Sequence, residues 1–203
     1  MRRGVFHLKQ ADPTLRQIIE AVGPYRIQYR EPDFETLVRS IVYQQLNGTA
    51  AGTIFGRLQA AACRDGRPLT PRAILRLAPE RLRALGLSGQ KAAYVRDLAE
   101  RTASREVDFA RLPALSDEGV IEHLTQVKGV GVWTAHMFLI FALRRPDVLP
   151  TGDLGVRAAI KKAWRLEALP TPAEMEALAR PWRPWCSVAS WYLWRSLEGV
   201  AAL

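Results

Sequence analysis

The chain has 203 residues, 48% of them hydrophobic, which suits one domain or two small lobes with a sizeable core and excludes disorder as the main theme. No apolar run reaches the ~18–20 residues of a membrane span, Met1-Arg2-Arg3-Gly4 is not followed by the apolar stretch of a signal peptide, and two cysteines, Cys63 and Cys186, are too few for a disulfide framework, a four-cysteine zinc site or a cysteine-held iron–sulfur cluster. The 29 Lys and Arg against 20 Asp and Glu leave a net charge of +9, with Arg outnumbering Lys 24 to 5; this points either to a polyanionic partner such as nucleic acid or to a codon bias toward Arg, in a chain expected in a reducing cytoplasm.

In chain order the signals are helical. Asp12-Pro13 offers an N-cap and a first-turn proline, Leu15, Ile18, Ile19 and Val22 make one face, and Gly23-Pro24 ends the helix. Asp33 caps a second helix whose stripe is Phe34, Leu37, Val38, Ile41 and Val42, the spacing of one buried face. Neither Asn47-Gly48 nor Asp65-Gly66 lies between alternating segments, so neither reads as a hairpin turn. Helices are predicted from Ala50 to Ala62, from Thr70-Pro71, and from Pro79 to Leu85, where Gly86 stops the helix. Another runs from Gly89 to Thr102, with Ala92, Ala93, Val95, Leu98 and Ala99 as its apolar set. Ser116 caps a helix bearing Val120, Ile121 and Leu124, and further helices run from Val132 to Leu143 and from Leu154 to Trp164. Thr171-Pro172-Ala173-Glu174 is a capping box, and Pro184 to Leu197 is the last helix, closed by Gly199. The result is an all-α fold of about ten short helices.

Between two of these helices stands Lys128-Gly129-Val130-Gly131. Two glycines this close allow positive φ and a backbone approach unobstructed by Cβ atoms, and the amides of the helix that follows suit a phosphate. The other reading is a plain helix–helix corner. Further on, Asp153 stands in Leu149-Pro150-Thr151-Gly152-Asp153, 22 residues past Gly131. It is placed either to cap the helix from Leu154 or to act as a rigidly aimed carboxylate, and the two roles are compatible.

The helix–Gly-Val-Gly–helix unit followed by this aspartate resembles the helix-hairpin-helix DNA glycosylase superfamily. The resemblance extends to Phe34–Phe55 (FETLVRSIVYQQLNGTAAGTIF), to Leu85–Leu98 (LGLSGQKAAYVRDL) and, for the alkylated-base branch of the 3-methyladenine DNA glycosylase II type, to Pro181–Trp194 (PWRPWCSVASWYLW). It covers roughly residues 30–198, and the ~30 residues before the helical core are too few for that branch's N-terminal β domain. The resemblance implies two lobes, one of about residues 33–148 and one of about 1–32 plus 149–203, with the active-site cleft between them. It implies a monomeric, monofunctional glycosylase that flips alkylated bases out of double-stranded DNA in the cytoplasm, at the nucleoid, with no membrane partner. A mismatch-specific pyrimidine glycosylase and a non-catalytic helix-hairpin-helix DNA-binding module are the alternatives.

Residue by residue, the resemblance makes Asp153 catalytic. A carboxylate beside C1′ stabilises an oxocarbenium-like sugar, and one acid suffices when the leaving base is already cationic. Trp133 stands where strand-cutting relatives keep a Schiff-base lysine, and an indole cannot serve as an amine nucleophile. Trp133 and Trp194 are expected to stack on the flipped base, with Met137 where the branch often has tyrosine; Trp164, Trp182 and Trp185 are expected to be core. Gln45, with Leu46 next in line, is expected to fill the gap in the base stack. Lys128, Gly129, Gly131 and Thr134 would hold the DNA backbone. No cofactor is expected for catalysis and no iron–sulfur cluster, but the resemblance implies a structural monovalent cation on the backbone carbonyls of Thr125, Val127 and Val130. His7, His123 and His136 lack zinc-ligand spacing; His136, one turn from Val132, either borders the pocket or the DNA or, the favoured reading, is a satisfied surface histidine.

Overall fold

A computed structural model describes residues 2–63 and 67–198. Its helices are α1 (Arg2–Ala11), α2 (Pro13–Val22), α3 (Phe34–Tyr43), α4 (Gly48–Ala62), α5 (Pro71–Leu75) and α6 (Pro79–Ala84), followed by α7 (Gly89–Ala103), α8 (Asp117–Thr125), α9 (Val132–Phe141), α10 (Leu154–Ala163), α11 (Pro172–Ala179) and α12 (Cys186–Glu198). Two short 3₁₀ turns, Leu112–Ala114 and Arg180–Trp182, complete the regular structure, and no strand occurs among the described residues. The all-α expectation holds, with α1 and the 3₁₀ turns added. Asp65, Gly66 and the expected stop at Gly199 lie outside the described residues.

The chain divides into a terminal unit, Met1–Tyr29 with Leu139–Leu203, and an internal unit, Arg30–Phe138. In the terminal unit Asp12 does two jobs. Its Oδ1 accepts from Thr14 N at 2.8 Å and Leu15 N at 3.1 Å, which starts α2, and its Oδ2 accepts from Trp182 Nε1 at 2.9 Å. A cap is thereby tied to the core, where Leu8, Leu15, Val156, Ile160, Met175 and Trp182 are fully buried. Helix α1 carries no local start signal. It is fixed by distant partners: a Cβ on Gly4 would come within 2.7 Å of the Trp185 ring, and His7 Nε2 donates to Pro181 O at 2.9 Å. The segment after α9 is bound to α12, with Val148 N donating to Ser187 Oγ (3.0 Å), Ser187 Oγ donating to Arg145 O (2.7 Å), and Cys186 N donating to Asp147 Oδ1 (3.2 Å). This sets the start of the loop that carries Asp153.

In the internal unit the whole expected stripe of α3 is buried. Helix α7 packs on α3, α5 and α6 through Ala92, Val95, Leu98 and Ala99, whereas Ala93, expected on that face, is exposed. Position 93 falls between the stripe positions 92 and 95, so its side chain turns outward. Phe109 is an edge partner of Phe34 (6.5 Å between centroids) and lies 6.0 Å from Phe138.

Asp97 on α7 is buried and reaches the following hairpin. Its Oδ2 accepts from Lys128 N at 2.9 Å and Arg101 Nε at 3.1 Å. Burial alone would raise its pKa, but the Lys128 amide and the Arg101 guanidinium outweigh it and hold the carboxyl below its ordinary 3.8. A carboxyl with a depressed folded-state pKa contributes stability above its unfolded value and loses it as pH falls through the folded one. Asp97→Ala should therefore cost about 1–3 kcal/mol at neutral pH. In urea melts the gap to the wild-type protein should close as pH drops below 3.8; a gap independent of pH would contradict this role.

Candidate active site

The hairpin joins α8 to α9. Ser116 Oγ accepts from Gly119 N at 3.1 Å to begin α8, and buried Val127 and Val130 anchor the turn, with Val130 N donating to Val127 O at 3.0 Å. Gly129 sits at φ +78°, and a Cβ there would lie 2.0 Å from the Tyr94 ring. Gly131 differs from the expectation: it is exposed, its φ is not in the left-handed region, and a Cβ would meet nothing within 4 Å. Only Gly129 is demanded by the fold, and Gly131 leaves the surface bare at the start of α9. Lys128 is exposed, its Nζ 3.6 Å from Asp97 Oδ1. The Thr134 side chain is buried rather than presented outward, because its Oγ1 accepts from Gln44 Nε2 at 3.4 Å; only its main chain remains suited to a backbone contact.

A cavity of about 540 Å³ in the internal unit is lined by Arg39, Tyr43, Gln44, Gln45, Trp133 and Met137 among others. It brings together five residues singled out in the sequence, Gln45, Gly129, Trp133, Thr134 and Met137, and Trp133 is 46% exposed. Gln45 occupies φ +55°, an uncommon conformation for a non-glycine residue, and is exposed. Its neighbours hold it there. Gln44 Nε2 donates to Gly129 O at 2.9 Å, and Asn47 Oδ1 accepts from Ala50 N at 2.8 Å to start α4. Lys91 Nζ donates to Val42 O at 2.7 Å and to Gln44 O at 2.5 Å, a cation placed against the C-terminal carbonyls of α3. Burial lowers the Lys91 pKa. Leu46 is 40% exposed beside Gln45 and is not among the residues lining the cavity. The supporting roles of Gln44 and Lys91, and the Arg39 guanidinium 3.6 Å from the Tyr43 ring centroid, are not visible in residue patterns alone. Gln44 and Lys91 do both fall inside segments that resemble the glycosylase superfamily, Phe34–Phe55 and Leu85–Leu98.

In the terminal unit Asp153 is 7% exposed and caps α10. Its Oδ1 accepts from Val156 N at 2.7 Å and from Trp194 Nε1 at 2.8 Å, while its own N–H donates to Pro150 O at 2.9 Å. Asp153 and Trp194 are thus brought together, and the Trp194 ring stacks on Phe141 with centroids 5.7 Å apart and planes at 25°. Trp182 is fully buried, Trp164 lies 5.6 Å from it and Trp185 packs partly buried on the same core, as expected for structural tryptophans.

His136 is half-buried rather than at the surface, because α9 is apolar on nearly every side; burial lowers its pKa against the opposing pull of Asp117. His123 Nε2 accepts from Asp108 N at 3.0 Å, a structural contact. Among the described residues no group of three or more His, Cys, Asp or Glu is placed to hold a metal ion.

An all-α fold with a glycine hairpin between two helices and a buried carboxylate capping a later helix defines a class. Residues 38–184 match the HhH-GPD superfamily of base excision DNA repair proteins, and the chain belongs to that superfamily. It is 34% identical over 201 residues, 97% of this chain and 87% of the other, to DNA-3-methyladenine glycosylase 1 of Schizosaccharomyces pombe. Among solved structures it is similar to an S. pombe 3-methyladenine DNA glycosylase in complex with abasic DNA, with a TM-score of 0.85, 34% identity and 97% of each chain covered. It is also similar to a DNA-3-methyladenine glycosidase of Bacillus halodurans, with a TM-score of 0.85, 34% identity, and 98% and 90% of the two chains covered.

Proposed function

We propose that this chain is a monofunctional DNA glycosylase that hydrolyses the N-glycosidic bond of alkylated bases in double-stranded DNA, with Asp153 as its catalytic carboxylate. The observation that carries the reading is Asp153 itself, a nearly buried carboxylate at the start of α10 whose orientation is fixed by two N–H donors on one oxygen. The relatives' names supply the substrate class: similar chains of nearly the same length are 3-methyladenine glycosylases.

A base alkylated at N3 or N7 is already cationic, so the C1′–N bond breaks with the electron pair leaving on a neutral base. The sugar takes up positive charge, which a carboxylate stabilises electrostatically. Water then adds its oxygen to C1′, and its proton passes to the carboxylate or to solvent.

The remaining residues serve delivery of the base. Lys128, Gly131 and the first amides of α9, the Thr134 amide included, take the phosphate backbone at a helix N-terminus. Gln45, held outward by Gln44 and Lys91, enters the duplex where the base has left, with Leu46 beside it. Trp133 offers its indole face to the cationic base, with Met137 shaping the cavity, and Trp194 offers a second aromatic surface. The carbonyls of Thr125, Val127 and Val130 are hard oxygen ligands suited to a monovalent cation, and Val127 O keeps a second lone pair beside the Val130 N–H. Such an ion would fix the turn and add positive charge near a phosphate. No helix among the described residues is long and apolar enough to cross a membrane; the proposed setting is a monomer acting on nucleoid DNA in the cytoplasm.

Methylated duplex DNA incubated with the protein should yield free alkylated bases by chromatography, and their absence would refute the assignment. With Trp133 where strand-cutting relatives keep lysine, no imine forms with the sugar. Borohydride at neutral pH should trap no protein on damaged DNA, and the abasic strand should break only in alkali. Efficient trapping, lost on mutation of Lys9, Lys91, Lys128, Lys161 or Lys162, would contradict the monofunctional reading.

A further inference from the structure

We propose that Trp194 is a positioning residue for the reaction: it holds the Asp153 carboxylate in one orientation through its indole N–H, in addition to any contact it makes with a base. The inference rests on the assignment of Asp153 given above.

A carboxylate bound by a single cap hydrogen bond can exchange its two oxygens by rotating about the terminal torsion. Asp153 accepts two N–H donors on the same oxygen, one from the α10 backbone at 2.7 Å and one from a ring on α12 at 2.8 Å, 41 residues away in sequence. Both donors are aimed at the same oxygen, and at a nearly buried site such charge-assisted bonds are strong.

The indole is itself restrained. Phe141 stacks against it at 5.7 Å and 25°, so one ring face is already occupied by protein. Gly155 provides the space in which the two side chains meet: a Cβ there would lie 3.1 Å from both Asp153 Oδ1 and Trp194 Cδ1, and 3.3 Å from Trp194 Nε1. Any side chain at 155 would press on the hydrogen bond from the helix side. Phe141, Trp194 and Gly155 thus form a support for the carboxylate.

Trp194→Phe separates this role from stacking, because it keeps an aromatic face and removes the N–H. Single-turnover base release should slow by about 10–10²-fold, the scale of a reacting group displaced by a fraction of an ångström to one ångström, with affinity for damaged duplex unchanged. In an Asp153→Asn background the same change should slow release no further. Gly155→Ala, which leaves the indole intact, should reproduce the loss in rate at unchanged affinity. Thermal melts of each variant identify any loss caused by unfolding. Wild-type rate in Trp194→Phe would overturn the proposal. So would an equal loss whether the substitution is made in the wild-type protein or in Asp153→Asn, which would mean that the indole acts on the base alone. Wild-type turnover by Asp153→Asn would instead sink the underlying catalytic assignment.

Discussion

Asp153→Asn should lower the rate of base release by about 10²–10³-fold or more, the usual loss when an aimed electrostatic group is removed. The substitution is unusually clean here. Asparagine is as good an N-cap as aspartate, and its carbonyl oxygen can keep accepting from Val156 N and Trp194 Nε1, so α10 and the indole stay in place. What disappears is the negative charge that the oxocarbenium-like sugar requires. Affinity for duplex DNA should stay the same or rise slightly, since one anion near phosphates is gone. A variant that folds, binds DNA and still turns over near the wild-type rate would remove Asp153 from the mechanism.

The second large effect separates two glycines that look alike in sequence. Gly129→Val places a branched side chain at φ +78° and a Cβ 2.0 Å from the Tyr94 ring. Overpacking and backbone strain together should cost about 2–6 kcal/mol, enough to unfold a marginal domain. Gly131→Leu meets no neighbour within 4 Å, so melting should be nearly unchanged. If the hairpin receives DNA, the new side chain stands between the first amides of α9 and the phosphate, and affinity should fall equally for all sequences, because phosphate contacts carry no sequence information. Binding by the wild-type protein should weaken steeply with salt as counterions are released, and Lys128→Ala should reduce that slope by about 1. Wild-type affinity in Gly131→Leu, or a flat salt response, would mean that the hairpin is only a corner of the fold.

These two glycines also show what the sequence could and could not reveal. The pair was legible, but which of them the fold requires depends on Tyr94, a residue of another helix. Elements with local signals were legible in the same way. Asp12-Pro13, the stripe of α3 and the Thr171 capping box each specify a helix within a few residues, and each is observed. Helix α1 leaves no local mark, because its order comes from Trp185 and Pro181, at the other end of the chain.

The candidate site divides similarly. Asp153 could be found because a cap and an aimed carboxylate leave the same local mark. Its bond to Trp194, the Lys91 contacts behind Gln44, and the turn of Thr134 toward Gln44 are tertiary, and no spacing rule encodes them. The left-handed Gln45 belongs with them: nothing about a glutamine signals φ +55°, and the conformation persists because Gln44, Lys91 and Asn47 fix both sides of the turn.

Base release is measured on one duplex carrying a single alkylated purine and a label on the damaged strand, incubated with excess protein at neutral pH. First-order release of the free base is expected, with an intact labelled strand that breaks at the lesion only after alkali and no release by Asp153→Asn over the same interval. A strand cut at neutral pH, or wild-type protein that binds the duplex and releases no base, would contradict the monofunctional glycosylase reading.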